Sequence, residues 1–108
     1  MCYSTALRKQ REQIEQRLLN QIPAKFPEAT LFQPYFHLNG FTHGNIQIIT
    51  MANPDQIVNA EWGLIPDWGI HDPKSFRKKS NTLNARSESI FEKPSYKESA
   101  EEKRCLVL

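Results

Sequence analysis

The sequence is poor in several features that would place a protein in a specialised class. It has only two cysteines, Cys2 and Cys105, which does not indicate a disulfide scaffold and favours a reducing, cytoplasmic location. Its three histidines lack metal-site spacing to the cysteines, so we expect no structural metal and no cofactor. No run of about 18 apolar residues is present, and the first residues lack the apolar segment of a secretory signal, so we expect no membrane span.

Charge of one sign is also scarce. The net charge of +2 permits nucleic acid binding but does little to indicate it. The 108 residues are 39% hydrophobic and 24% charged, the composition of an ordinary soluble protein with one small domain.

Hydrophobic patterns along the chain predict an α+β fold. Leu7, Ile14 and Leu18 share one face of a predicted helix over residues 5–22, which Pro23 ends. Short strands are predicted for Tyr35 to Phe41, Asn45 to Met51, Gln56 to Ile65, residues 82–86 and residues 104–108. Residues 66–81 are predicted to form a polar loop, and residues 87–103 a charged, helix-prone segment in which Pro94 starts the helix. We therefore expect an antiparallel, partly barrel-like sheet with flanking helices.

Cys2 follows the initiator methionine directly. Removal of Met1 would leave a free α-amine beside the thiol, and both groups are partly deprotonated near neutral pH. This 1,2-aminothiol can condense with an aldehyde to give a thiazolidine, or the thiol can act as an N-terminal nucleophile for acyl transfer. The alternative is that Cys2 has no functional role, and the position of the residue alone favours this alternative.

Two further stretches carry candidate binding residues. Gly63 and Pro66 constrain the backbone between Trp62 and Trp68, and an indole on a stiff loop can stack on a nucleobase. The alternative is that these tryptophans are buried core residues. We favour burial for Trp62, whereas for Trp68 the sequence supports burial and exposure equally.

Asn84 and Arg86 lie two residues apart and would share one strand face, where an amide and a guanidinium can hold a polar group and a phosphate. The alternative is a surface pair between Arg86 and Glu88. A basic cluster over residues 77–79 (Arg77, Lys78 and Lys79) would add salt-dependent attraction to phosphates.

Four separated motifs in order resemble the SOS-response-associated peptidase (SRAP) family. They are a cysteine at position two, W-G-L-I-P-x-W over residues 62–68, N-A-R-S-E over residues 84–88 and R-C-L-V over residues 104–107. The resemblance covers the whole chain but only about the first half of the family domain, because family members continue with a proline, a G-F-Y-E-W-like strand and a catalytic histidine. Here Leu108 stands in place of that proline. We therefore expect residues 1–108 to be the N-terminal portion of a single truncated SRAP domain.

The resemblance implies a sensor of abasic sites in single-stranded DNA that acts in the DNA damage (SOS) response. It implies that Cys2 forms a thiazolidine crosslink with the open-chain deoxyribose aldehyde and that Asn84 positions the sugar and the amine. Arg86 is similar to a phosphate contact and Trp68 to a residue that separates or stacks on bases. Cys105 is similar to a core residue.

The chain also departs from the family pattern. Many members begin M-C-G-R, whereas this chain begins Met1-Cys2-Tyr3-Ser4, and the common Y-N-x-x-P loop is replaced by residues 35–39. Two other functions stay open: a thiol peptidase or hydrolase that acts on its own N-terminus through Cys2, and an inactive fragment that needs a partner chain.

Overall fold

The structure is a computed structural model that describes residues 3–18, 21–27, 32–80 and 82–108. Within these ranges the strands and α-helices are, in chain order, β1 (Ser4–Leu7), α1 (Arg11–Leu18), β2 (Tyr35–Asn39), β3 (Asn45–Thr50), β4 (Val58–Glu61), α2 (Pro73–Lys79), α3 (Lys97–Glu102) and β5 (Cys105–Val107). Single 3₁₀ turns span Gly40–Thr42 and Asp67–Gly69. None of the helices in the described ranges has both the length and the apolar character that a bilayer crossing requires.

The central strand of the larger sheet is β3. It pairs antiparallel with β4 on one side and with β5 on the other, so that Ile48 lies opposite Val58 and Val107. Its β-branched residues suit a pleated, half-buried surface, and Ile46 and Ile49 are buried. The predicted α+β class with antiparallel pairing is confirmed, and over the described residues the sheet remains open.

The second sheet joins the chain start to the middle of the sequence. β1 pairs antiparallel with β2, with Thr5 opposite Leu38 and an irregular register between Thr5 and Leu7. The prediction of one helix over residues 5–22 is therefore wrong at its beginning, because the backbone of Ser4–Leu7 bonds to a strand about 30 residues away. The helix itself begins at Arg11 and is described as far as Leu18.

A small apolar core lies between α1, the following segment and the larger sheet. Its buried residues are Ile14, Ala24, Phe26, Ile49 and Ile57. The Phe26 amide donates a hydrogen bond of 2.8 Å to Glu15 Oε1, which fixes the segment after the helix against α1. From the second half of the chain, Ile57 belongs to this core and Leu108 packs against it, whereas the segment that carries Trp68, Asn84 and Arg86 lies outside it.

Three predicted elements in the second half differ from the structure. Residues 66–81 contain α2, which the polar composition concealed; Asp72 caps it by accepting from the Ser75 amide at 3.1 Å, and Pro73 occupies its first turn. Residues 82–86 form no strand where they are described. The last helix begins at Lys97 and not at Pro94, because turns occupy residues 87–96.

Candidate functional site

The chain start lies against the segment that carries Asn84. The Gly40 amide donates a hydrogen bond of 2.7 Å to the Tyr3 carbonyl. A Cβ atom on Gly40 would lie 3.1 Å from Leu83 Cδ1 and 3.4 Å from the Tyr3 carbonyl oxygen, so the three residues meet closely. Cys2, the predicted nucleophile, lies outside the described residues; Tyr3 follows it in sequence, and Leu83 precedes Asn84. Tyr3 and Leu83, which are 80 residues apart in sequence, therefore both lie against Gly40.

Asn84 and Arg86 line one polar cleft with a volume of about 620 Å³. The other residues that line it are Ser80, Thr82, Ala85, Ser89, Lys93, Pro94, Ser95 and Tyr96. The Tyr96 hydroxyl donates a hydrogen bond of 2.8 Å to the Asn84 carbonyl. Partial burial raises the pKa of Tyr96 above its ordinary value of 10.0, so the hydroxyl stays a protonated donor to higher pH than in an exposed tyrosine. The cleft thus exposes the cationic side chains of Arg86 and Lys93 to solvent, whereas the amide nitrogen of Asn84 is buried at its wall.

Trp68 lies at the border of this cleft. It is 59% exposed, and its indole Nε1 donates a long hydrogen bond of 3.5 Å to the carbonyl of Pro94, a cleft residue. Phe76 of α2 supports the indole edge to face, with ring centroids 5.4 Å apart. A neighbouring cavity of about 300 Å³ is lined by Trp68 and Lys79 and shares Ser80 with the cleft. Exposure on a supported loop is the arrangement that base stacking requires.

The W-G-L-I-P segment is held by hydrogen bonds to its main chain. His43 Nδ1 lies 2.7 Å from the Trp62 carbonyl oxygen, so we assign the proton to Nδ1. Gly63 has a φ of +128°, and a Cβ atom there would lie 2.7 Å from His43 Nδ1, so both backbone and space require glycine. Thr82 Oγ1 donates a hydrogen bond of 2.5 Å to the Leu64 carbonyl. This bond connects the segment to the residues that precede Asn84.

The three members of the basic cluster have different surroundings. Arg77 Nη2 lies 3.0 Å from Glu61 Oε2, its side chain is 20% exposed, and its Nε is buried without a hydrogen-bond partner among the described residues. Lys78 and Lys79 are exposed in the last turn of α2. Lys79 therefore lies beside Trp68 and close to the cleft, whereas Arg77 is paired to β4.

Three charged side chains form a cluster near Trp68 that no sequence motif predicts. Lys103 Nζ lies 3.1 Å from both carboxylate oxygens of Asp67 and 3.5 Å from Glu98 Oε1. The hydrogen bond between the carboxyl groups of Glu98 and Asp67 lowers the pKa of Asp67, and the hydrogen bond from Lys103 lowers it further. The same carboxyl–carboxyl hydrogen bond raises the pKa of Glu98. The hydrogen bond and charge of Asp67 raise the pKa of Lys103. The Asp67–Lys103 pair connects the Trp68 turn to the end of α3, across 36 residues of sequence.

Cys105 was predicted to be a core residue, but in the structure it is exposed. It is a free cysteine in β5 and exposed as a residue, because β5 forms an edge of the sheet. The thiol itself is partly shielded, and this burial raises its pKa. A raised thiol pKa lowers the thiolate population, so we expect Cys105 to react more slowly than a free cysteine at the same pH.

Other site residues were not predicted from the sequence. Lys93 and Tyr96 fall in the charged segment 87–103, whose composition indicated a helix and no binding site. Their role depends on turns that fold this segment back over Asn84, and no short-range pattern indicates such a contact.

The fold and site define a mixed α+β domain with an exposed indole beside a basic, polar cleft. The sequence profile of the family described as SOS response associated peptidase (SRAP) matches residues 1–108. The chain therefore belongs to the SRAP family, as its motifs predicted.

Known proteins support this assignment. Two abasic site processing proteins of Bacillus subtilis (strain 168) are similar: YoqW is 31% identical over 62 residues, which are 57% of this chain, and YoaM is 28% identical over 82 residues, which are 76% of it. The aligned parts are 26% of YoqW and 34% of YoaM. A crystal structure of a protein from Bacteroides thetaiotaomicron is 32% identical, with a TM-score of 0.74 over 98% of this chain and 45% of the other. The chain thus spans less than half the length of each relative.

Proposed function

We propose that this chain is the N-terminal portion of a single domain that senses abasic sites in single-stranded DNA and binds them covalently through Cys2. The similar proteins YoqW and YoaM are named abasic site processing proteins. The observation that supports the proposal is that Tyr3 and Leu83 both lie against Gly40, because these residues are the sequence neighbours of Cys2 and Asn84.

The proposed reaction uses both functional groups of Cys2 after Met1 has been removed. The α-amine attacks the aldehyde carbon of the ring-opened deoxyribose and forms an imine with loss of one water. The thiol sulfur then attacks the same carbon, its proton passes to the imine nitrogen, and a five-membered thiazolidine results. The step needs no oxidant, reductant or metal to balance.

The residues of the cleft would orient the DNA for this reaction. The Asn84 side-chain oxygen can accept from the Cys2 amine, and its Nδ2, which is buried in this structure, would donate to a sugar oxygen after a side-chain rotation, because an amide carries both donors and an acceptor. Arg86 suits a backbone phosphate as a bidentate donor, and exposed Lys93, Lys79 and Lys78 would add attraction that falls as salt rises. Arg77 would contribute less attraction, because its ion pair with Glu61 offsets its charge.

Trp68 would stack on an unpaired base at the border of the cleft. Its exposed indole and its support by Phe76 are the features on which this role depends. A target with unstacked bases, such as single-stranded DNA, offers the faces that such a ring needs.

The test mixes the Met1-free chain with a single-stranded oligonucleotide that contains one abasic site and separates the products on a denaturing gel. Intact mass first establishes that Met1 is absent, since its presence blocks the amine. We expect a band of protein bound to DNA that resists denaturation, with a mass of protein plus DNA minus one water.

Matched cysteine variants identify the reacting group. Cys2→Ser should abolish the band and keep non-covalent binding, whereas Cys105→Ser should keep the band. An undiminished band with Cys2→Ser would contradict the mechanism. If only the N-terminal mass changes with time, by more than the loss of Met1, the result favours the peptidase alternative.

A further inference from the structure

Next to the chain start the structure holds a pair of stacked aromatic rings. The rings of Tyr3 and Phe41 are 5.1 Å apart between centroids and inclined by 25°. Phe41 is 57% exposed, although an aromatic ring of this size usually gains by burial. Neither residue belongs to the motifs that indicated the family, and Phe41 lies just after the segment in which this chain departs from the family loop.

The turn that carries Phe41 is fixed by local hydrogen bonds. Asn39 Oδ1 accepts from the Phe41 amide at 2.9 Å, and Thr42 Oγ1 donates to the Asn39 carbonyl at 2.6 Å. His43, with a φ of 53°, closes the turn in the left-handed region. The Gly40 amide is bonded to the Tyr3 carbonyl, so the turn and the chain start hold the two rings together. The exposed ring is therefore preorganised, and its ordering costs little when a ligand binds.

We propose that the Tyr3–Phe41 pair is a stacking platform for the nucleobase adjacent to the abasic nucleotide. This inference rests on the proposed function. A missing base leaves each neighbouring base with one uncovered face, and an aromatic ring can take the place of the lost stacking partner. Tyr3 is one residue from Cys2 in sequence, so a base on this platform would adjoin the sugar that reacts.

Phe36 provides a matched control within the same sheet. It is a phenylalanine on β2, it is 79% exposed, and it has no ring partner among the described residues. General apolar attraction to DNA would involve Phe36 at least as strongly as Phe41, whereas a stacking platform formed by the Tyr3–Phe41 pair does not involve Phe36.

The experiment uses a single-stranded oligonucleotide with a tetrahydrofuran abasic analogue, which has no aldehyde and cannot react. A fluorescent 2-aminopurine is placed on the 5′ side or on the 3′ side of the analogue, because stacking quenches its emission. We expect binding of the 108-residue chain to quench one of the two probes. Phe41→Leu should remove this quenching and raise Kd by about 5-fold or more, as loss of one stacked base implies. Phe41→Trp and Phe36→Leu should keep both.

The outcomes separate this inference from the proposed function. Unchanged quenching and Kd in Phe41→Leu, an equal loss in Phe36→Leu, or no binding by the unaltered chain would overturn the platform. Circular dichroism of each variant shows whether it is folded, and Tyr3→Leu gives a second test should Phe41→Leu unfold. Crosslinking through Cys2 is measured on a different substrate, so it can succeed while the platform fails, or the reverse.

Discussion

The two cysteines differ in what their surroundings do to their reactivity. Cys105 lies on an edge strand, and partial burial of its thiol raises its pKa above the ordinary value of 9.0. In the proposed reaction, Cys2 would supply both an amine and a thiol once it is N-terminal. Cys105 has no adjacent free amine, and a lone thiol cannot close a thiazolidine, so the proposal assigns the crosslink to Cys2.

The raised pKa of Cys105 predicts slow alkylation. In a Cys2→Ser background at pH 8, we expect iodoacetamide to modify Cys105 several-fold more slowly than it modifies a cysteine peptide, because the thiolate is the nucleophile. The rate should continue to rise as pH passes above 9.0, where the unfolded thiol is already half ionised. Mass spectrometry gives the rates, and the same protein in urea is the control that should match the peptide. A folded rate equal to the peptide rate at pH 8 would show that the thiol is not shielded.

At the level of elements, hydrogen bonds between distant segments build the site. Thr82 connects the segment before Asn84 to the Trp62–Trp68 segment, and Tyr96 connects the turns before α3 to Asn84 itself. Loop segments with few apolar contacts depend on such bonds for a defined position, and their loss affects the site more than the core.

Tyr96→Phe tests this dependence. The change removes the hydroxyl that donates to the Asn84 carbonyl, and we expect the free energy of unfolding to fall by about 1 kcal/mol. If Asn84 positions the sugar, the crosslinking rate should fall more than the affinity for DNA. Because the pKa of Tyr96 is raised above 10.0, the bond is fully present below pH 10.0 and is lost as pH rises through the higher folded value.

Tyr35→Phe is the matched control for that variant. Tyr35 is half-buried and its pKa is also raised by burial, but its hydroxyl has no hydrogen bond within the described part of the chain. Urea unfolding and single-turnover crosslinking compare the two variants. Equal effects would mean that the Tyr96 bond does not hold Asn84 in place.

The strands and helices also show which parts of the fold can be predicted from local sequence patterns. The strand β3 was predictable because its short segment is rich in β-branched isoleucines, and β5 because Cys105–Val107 is a short continuous apolar run. The strand β1 was not, since four residues ahead of an amphipathic helix pair with β2 only through tertiary contact. The helix α2 has one buried residue, Phe76, so it lacks the apolar stripe that identifies helices in sequence.

The candidate site was predictable to a similar extent. Asn84, Arg86 and Trp68 were found from motif residues, and the structure places them at or beside one cleft. Lys93 and the Tyr3–Phe41 pair were not found, because single lysines and aromatic residues carry no motif. Their positions follow from turns and from the register of β1 with β2.

For the molecule as a whole, the balance of buried and exposed apolar residues is unusual. Among the described residues the buried apolar set is Ile14, Ala24, Phe26, Ile46, Ile49, Ile57 and Phe76. The large apolar residues that are exposed are Phe36, Phe41, Met51, Trp68, Ile70, Phe91, Leu106 and Val107. Two of them lie on β5, whose outer edge has unpaired backbone groups within the described structure. An apolar edge of this kind promotes association with another chain.

Because few apolar residues are buried, we predict that the 108-residue chain unfolds with low cooperativity and that its unfolding depends on protein concentration. We expect a broad thermal transition whose midpoint shifts with protein concentration, because burial of apolar surface is the main source of cooperative stability and little of it is available here. Circular dichroism, calorimetry and sedimentation at several concentrations measure the transition and the association. Leu106→Lys should reduce association, since a charge on an edge strand opposes pairing, whereas Lys97→Arg on α3 should not. A sharp, concentration-independent transition with equal calorimetric and van't Hoff enthalpies would show a self-sufficient domain, and would contradict the proposal that these residues are one portion of a larger one.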